Sequence, residues 1–269
     1  MDFTGVIIAT LLIGGVGLFV GIFLGIAGLK FQVEVDKKEE KVLEVLPGNN
    51  CGACGYPGCS GLAAAIAKGE APADTCTVGG PAVAKKVADI MGVEVTTGKK
   101  MVAFVKCQAN YDKVTFDYEY TGIMDCAMMK FVPNGGPKAC KYGCLGYGSC
   151  VKVCPFDAIH VIDGVAVVDK DACKACGKCI MKCPKNLIEM IPYEAEYVVA
   201  CSNHDKGAVT TKACQVGCIG CSLCVKQCES DAITIHEFNA YIDQEKCTQC
   251  GKCITVCPKK SIIKIEKEG

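Results

Sequence analysis

The sequence predicts an α+β chain assembled from several small units behind a single apolar helix. Three observations predict it. The run from Phe3 to Leu29 carries no charged residue. Cysteine supplies 24 of the 269 residues, the mark of small units stapled by something other than a large apolar core. From Val105 onward the chain also repeats itself. "VKCQ" matches "VACS", "ACKYGCLGYGSCVKVCPFDAIHV" matches "ACQVGCIGCSLCVKQCESDAITI", and "DKDACKACGKCIMKCPKNLIEM" matches "DQEKCTQCGKCITVCPKKSIIKI".

The elements follow in order. A run of about 27 residues is roughly 40 Å long as a helix, against a hydrocarbon core of about 30 Å. Residues 1–29 are therefore expected to span a membrane. A signal peptide is the alternative, but Met1-Asp2 offers an acid where a positive n-region belongs. Lys30, Lys37, Lys38 and Lys41 follow the span, which places the bulk of the chain in the cytoplasm by the positive-inside rule. Gly17, Gly21 and Gly25 share one helix face, suited to close packing against another membrane helix.

Residues 30–47 read as a charged linker or helix. Residues 48–98 form a four-cysteine unit. Its alanine-rich segment from Gly61 to Lys68 predicts a helix, and Pro81 to Met91 a second one capped by Gly92. Residues 93–103 read as linker or strand. The repeats then occupy 99–192 and 193–269. Strands are expected at Ile159–Ile162, Val165–Val168, Ile188–Ile191, Ile233–Ile235, Ala240–Ile242 and Ile262–Ile265. Asp163-Gly164 marks a hairpin turn between the first two.

The cysteine spacing carries the chemistry. Cys173, Cys176, Cys179 and Cys183-Pro184 read C-x2-C-x2-C-x3-C-P. Cys247, Cys250, Cys253 and Cys257-Pro258 repeat it, and Cys218, Cys221, Cys224 and Cys228 do so with Glu229 in place of Pro. This is the bacterial ferredoxin run, in which three cysteines hold one [4Fe–4S] cluster and the fourth holds its neighbour. That interleaving assigns Cys218, Cys221, Cys224 and Cys257 to one cluster, and Cys228, Cys247, Cys250 and Cys253 to another. In the first repeat Cys154, Cys173, Cys176 and Cys179 form a third set.

The leading run there is irregular, because Tyr147 stands where Cys221 stands in the second repeat. Cys140 is the nearest replacement, giving a fourth set of Cys140, Cys144, Cys150 and Cys183, with Cys126 as its competitor. Cys51, Cys54, Cys59 and Cys76 complete five clusters. Cys107, Cys126, Cys201 and Cys214 remain, and buried free thiols are the plain expectation for them.

Zinc is the competing metal. Only three histidines are present, His160, His204 and His236, and three-cysteine runs beside C-P favour iron. Around Cys51–Cys76 the spacing alone admits zinc as well. A secreted disulfide scaffold would also be cysteine-rich, but such frameworks rarely repeat this run.

Formal net charge is zero and all 29 basic residues are lysine, so bidentate guanidinium recognition of phosphate is absent. Neither a G-x4-G-K-[ST] loop nor a G-x-G-x-x-G after a strand occurs, which argues against nucleotide or nucleic-acid binding here. No nucleophile-base pair or paired carboxylates suggest a catalytic residue.

An apolar span, then "NNCGACGYPGCSGLAAAIAKGEAP", then ferredoxin repeats, resembles the B-subunit family of the Rnf complex over nearly the whole chain. The resemblance implies a single-pass subunit in a bacterial cell membrane, part of an Na+- or H+-translocating ferredoxin:NAD+ oxidoreductase. Such a subunit would take electrons from reduced ferredoxin and relay them to the membrane and NAD-binding subunits. A membrane-tethered relay for another anaerobic redox enzyme, such as a hydrogenase or one-carbon complex, is the alternative. The resemblance also implies an acidic ferredoxin donor. Residues 99–192 hold 13 lysines against 9 acidic residues, a net of +4, and make the better electrostatic target. Lys138, Lys141, Lys152, Lys174, Lys178, Lys182 and Lys185 are the docking candidates.

Overall fold

The computed structural model describes residues 3–30, 36–95 and 98–265. Helix α1 (Phe3–Lys30) keeps its large apolar side chains exposed, Phe19 by 72% and Leu24 by 62%. Among the described residues it is the one helix long and apolar enough to cross a membrane. Exposure of that many apolar groups is stable only against lipid or a partner.

Helix α2 (Lys37–Val45) starts at Asp36, whose side chain accepts from the Lys38 N–H at 2.9 Å. Glu39 and Glu40 in its first turn suit the helix dipole. Helix α3 (Gly58–Ala67) and helix α4 (Gly80–Met91) pack with it around Val42, Leu46, Leu62, Ile66 and Val87. Gly92 ends α4 in the left-handed conformation, φ 71°, and its N–H returns to the Ala88 carbonyl.

Each repeat then closes on itself, its first strand pairing antiparallel with its last. Strand β1 (Met101–Val105) pairs with β4 (Ile188–Pro192), Ala103 facing Met190. Between them lies the hairpin β2 (Ile159–Ile162) and β3 (Val165–Val168), turning at Asp163 and Gly164, with φ 46° and 80°. The second repeat copies this with β5 (Tyr197–Val199) against β8 (Ile262–Lys264), and the hairpin β6 (Ile233–His236) and β7 (Asn239–Ile242). Its turn uses Glu237 and Phe238 at φ 46° and 64°, so the left-handed pair is built without glycine.

Short helices α5 (Lys178–Lys182), α7 (Leu223–Gln227) and α8 (Lys252–Thr255) carry the third cysteine of a run, and α6 (Gly207–Ala213) follows β5 in the second repeat. The mixture is α+β, as the sequence predicts. Strand β5 was not expected; three residues are too short to show a period of two.

The cores explain the cysteine content. In the first repeat Val102, Ile159, Leu187 and Ile191 pack with Cys144, Cys150, Cys173 and Cys179. In the second, Val199, Ile233, Ile242 and Ile262 pack with Cys218, Cys224 and Cys253. Sulfur is part of the interior, and whatever it binds is part of the interior too.

Candidate iron–sulfur sites

After the fourth cysteine of every run the chain makes the same turn. The third residue on is left-handed in all four: Asp157 (φ 49°), Asn186 (51°), Asp231 (49°) and Lys260 (50°). That turn aims the next N–H back at the sulfur. Ala158 donates to Cys154 Sγ at 3.4 Å, Leu187 to Cys183 Sγ at 3.5 Å and Ser261 to Cys257 Sγ at 3.3 Å. At Cys228 burial opposes ionisation, but hydrogen bonds from the Ser230 hydroxyl and the N–H groups of Ala232, Ser230 and Ile233 hold its thiol below the ordinary value. Glu229 does not disturb the turn, and it pairs with Lys252.

A second pattern surrounds the middle cysteine of each run. Ala175 and Gly177 flank Cys176 at φ 53° and 73°, Gly220 and Ser222 flank Cys221 at 65° and 61°, and Gln249 and Gly251 flank Cys250 at 57° and 72°. Left-handed residues curl the loop so that backbone N–H groups can line a concavity, which suits an anionic guest.

The structure brings the thiols together in fours. Cys218, Cys221, Cys224 and Cys257 line one small pocket. Cys51, Cys54, Cys59 and Cys76 line another. Burial, then neighbouring Cys173 and Cys176, pushes Cys179 up to about 11, and Cys154 adjoins Cys176. Cys247, Cys250 and Cys228 crowd Cys253 in the same way, after burial.

The fourth set differs from the expectation. Burial, then Cys144, Cys126 and Cys183, pushes Cys150 up to about 12. Cys126, the sequence's alternative to Cys140, therefore lies near Cys150 together with Cys144 and Cys183. The Cys126 N–H donates to Ser149 Oγ at 3.0 Å, and Ser149 donates to Asp125 at 3.3 Å, which pins the long 108–139 segment over this site. Cys140 adjoins Cys107, Cys201 and Cys214 around a small pocket that Cys144 also borders.

Lys138 is a second correction. It is only 3% exposed, and its ammonium donates to the carbonyls of Cys144 (2.7 Å), Gly164 (2.9 Å) and Ala109 (3.4 Å). It cannot meet a docking protein. Lys178 and Lys185 are half-buried, and Lys185 donates to the Lys141 carbonyl at 2.6 Å. Lys141, Lys152, Lys174 and Lys182 remain exposed, Lys141 paired with Asp205 at 3.1 Å.

These donors fit iron–sulfur clusters. All 24 cysteines are free thiols. Among the described residues no three Cys, His, Asp or Glu side chains converge tightly enough for a single ion, as a zinc site requires. Four thiols lining one pocket, as Cys218, Cys221, Cys224 and Cys257 do, suit a polynuclear guest that takes one thiolate at each iron. The raised values at Cys150 and Cys179 mean that buried thiolates need positive charge brought in with the guest.

Comparison with known proteins agrees with this chemistry. The FeS family model, an Fe–S cluster unit, matches residues 46–78. An LdpA Fe–S cluster-binding domain matches residues 148–194, and a 4Fe–4S dicluster domain matches residues 217–261. The B subunit of the ion-translocating oxidoreductase complex of Methanosarcina acetivorans is 43% identical over 93% of this chain and 95% of its own. The B subunit of the Na+-translocating ferredoxin:NAD+ oxidoreductase complex of Acetobacterium woodii is 45% identical over 93% of this chain and 75% of its own. The proton-translocating counterpart of Clostridium ljungdahlii is 39% identical over 92% and 88%. With such identity running from the apolar helix through both repeats, the chain belongs to the B-subunit family of the ion-translocating oxidoreductase, or Rnf, complexes.

Proposed function

We propose that the chain is the membrane-anchored electron carrier of an ion-translocating ferredoxin:NAD+ oxidoreductase, with reduced ferredoxin as donor and residues 36–269 on the cytoplasmic side. The observation that carries this reading is the gathering of thiols in fours around small pockets, behind a helix fit to span a bilayer. The ligand sets are Cys51, Cys54, Cys59 and Cys76; Cys126, Cys144, Cys150 and Cys183; Cys154, Cys173, Cys176 and Cys179; Cys218, Cys221, Cys224 and Cys257; and Cys228, Cys247, Cys250 and Cys253. When bound, [4Fe–4S] clusters supply one-electron redox chemistry at these five places.

The rest is the chain's own work. The Cys-Pro turns present N–H groups to the ligating sulfurs, which stabilises added negative charge. Packing of Val102, Leu187, Ile233 and Ile262 against the thiols excludes water. The names of the Acetobacterium and Clostridium relatives support ferredoxin and NAD+ as the complex's redox partners. NAD+ binding is assigned to another subunit, since no phosphate-cradling loop occurs here.

Membranes from a strain lacking this chain, complemented with the wild type or with Cys224→Ser, test the reading. Ferredoxin-dependent NAD+ reduction should return with the wild type and not with the variant. Restoration of a hydrogenase activity instead would make the chain a relay for a different enzyme.

A further inference from the structure

We propose that the buried ammonium of Lys138 raises the reduction potential of the cluster at Cys126, Cys144, Cys150 and Cys183, making it a better electron acceptor than its counterpart at Cys218, Cys221, Cys224 and Cys257. This rests on the cluster-carrying reading above.

The internal repeat supplies the comparison. "KACKYGC", from Lys138 to Cys144, matches "KACQVGC", from Lys212 to Cys218, so each repeat carries a lysine at the same spacing before its leading ligand. Lys212 is exposed, whereas Lys138 is turned inside. Its Nζ donates to the carbonyls of Cys144 at 2.7 Å, Gly164 at 2.9 Å and Ala109 at 3.4 Å. Three acceptors match the three N–H groups of an ammonium, one more than a neutral amine has. Burial lowers the proton affinity of this group, and the charges of Cys107, Cys144, Cys140 and Cys214 oppose that. The positive charge is thus tied directly to the backbone of a ligand residue.

Other electrostatic features of the two sites are matched. Cys144 Sγ accepts the Ala166 N–H and Cys218 Sγ the Ala240 N–H, both at 3.4 Å. The fourth ligands, Cys183 and Cys257, accept from Leu187 and Ser261 at 3.5 and 3.3 Å. A half-buried lysine stands two residues after each, Lys185 and Lys259. Asp125 adds a carboxylate next to Cys126, but Lys152 pairs with it at 3.7 Å. In the hairpin of the second repeat the buried donor is a neutral amide: Asn239 Nδ2 reaches the Cys201 carbonyl at 2.9 Å. The inward lysine is the difference that these pairs leave standing.

Reduction adds one electron, and so one negative charge, to a cluster. A fixed positive charge beside a ligand stabilises the reduced form and raises the potential. Away from solvent that field is strong and little screened by salt. Lys138 therefore ties three carbonyls together and also biases where an electron comes to rest.

The test is a redox titration of the full-length chain in detergent, reconstituted anaerobically and followed by electron paramagnetic resonance. The signal lost in Cys150→Ser identifies the Cys144 set, and the one lost in Cys224→Ser identifies the Cys218 set. The Cys144 set should titrate at the more positive potential. Lys138→Gln keeps a donor and removes the charge. It should move the Cys144 set to a more negative potential at low and high salt alike, and leave the Cys218 set in place. Lys212→Gln should shift neither. A Cys144 signal unmoved by Lys138→Gln, or equal shifts in every cluster, overturns the proposal. Should that variant not fold, the wild-type order decides, and a Cys144 set at or below the potential of the Cys218 set overturns it. Zinc in place of iron, with no signal to lose in either cysteine variant, would sink the cluster reading itself and the proposal with it.

Discussion

Cys126 adjoins Tyr147, the residue that stands where Cys221 stands in the second repeat. Gly146 and Gly148 flank Tyr147 at φ 79° and 71°, the same left-handed frame that Gly220 and Ser222 give Cys221. The loop keeps its frame without a thiol, and Cys126 stands beside it on a segment that folds back over it. Cys126→Ser should therefore cost about four iron per chain, and adding Tyr147→Cys should restore them. Iron and sulfide assays on the two variants check this; no recovery would mean the loop no longer presents that position to the cluster.

Cross-ligation gives the next prediction. Cys257 lines the cavity of Cys218, Cys221 and Cys224, whereas Cys228 adjoins Cys253. Cys257→Ser should perturb the paramagnetic spectrum of the Cys218 set and spare the Cys247 set, and Cys228→Ser should do the reverse. Spectra that follow sequence order instead would contradict the interleaving.

Lys138 should behave as a structural residue. Replacing it with Met strands three buried carbonyl partners, each such loss costing about 1–3 kcal/mol. The thermal midpoint of the reconstituted protein should fall clearly, with little change in the salt dependence of ferredoxin oxidation. An unchanged midpoint would show that the pocket relaxes around the apolar side chain.

Docking belongs to the lysines that reach solvent. Lys152→Glu, Lys174→Glu and Lys182→Glu together should slow electron uptake from an acidic ferredoxin at low ionic strength and flatten its salt dependence. Stopped-flow reduction at several salt concentrations is the measurement. Unchanged rates with full iron content would move the docking surface to another part of the chain.

Removal of residues 1–30 should release a water-soluble, cluster-bearing protein that no longer copurifies with membrane subunits. Helix α1 contributes no cysteine, and its large apolar side chains are exposed. Retained copurification would place the membrane contact in the cysteine-bearing region.

Much of this was legible because the relevant patterns are local. The C-x2-C-x2-C-x3-C run marks iron–sulfur chemistry directly, and alternating apolar residues mark β2, β3, β6 and β7. The replacement for Tyr147 was not legible. Cys126 and Cys140 both lie in or beside the long segment between Cys107 and Cys144, and tertiary bonds such as Cys126 N–H to Ser149 set where each thiol stands. Counting charge also misled: Lys138 adds to the net +4 of residues 99–192, yet its ammonium is spent on carbonyls inside the protein. The kinship of Cys107 with Cys201 and of Cys140 with Cys214 was visible in the repeat, but not that the copies would face each other.

That meeting has a consequence for how the polypeptide is made. Cys107 and Cys140 leave the ribosome well before Cys201 and Cys214, so the first repeat emerges with two sulfurs turned toward a neighbour not yet synthesised. Its last interior contact forms only when the second repeat arrives.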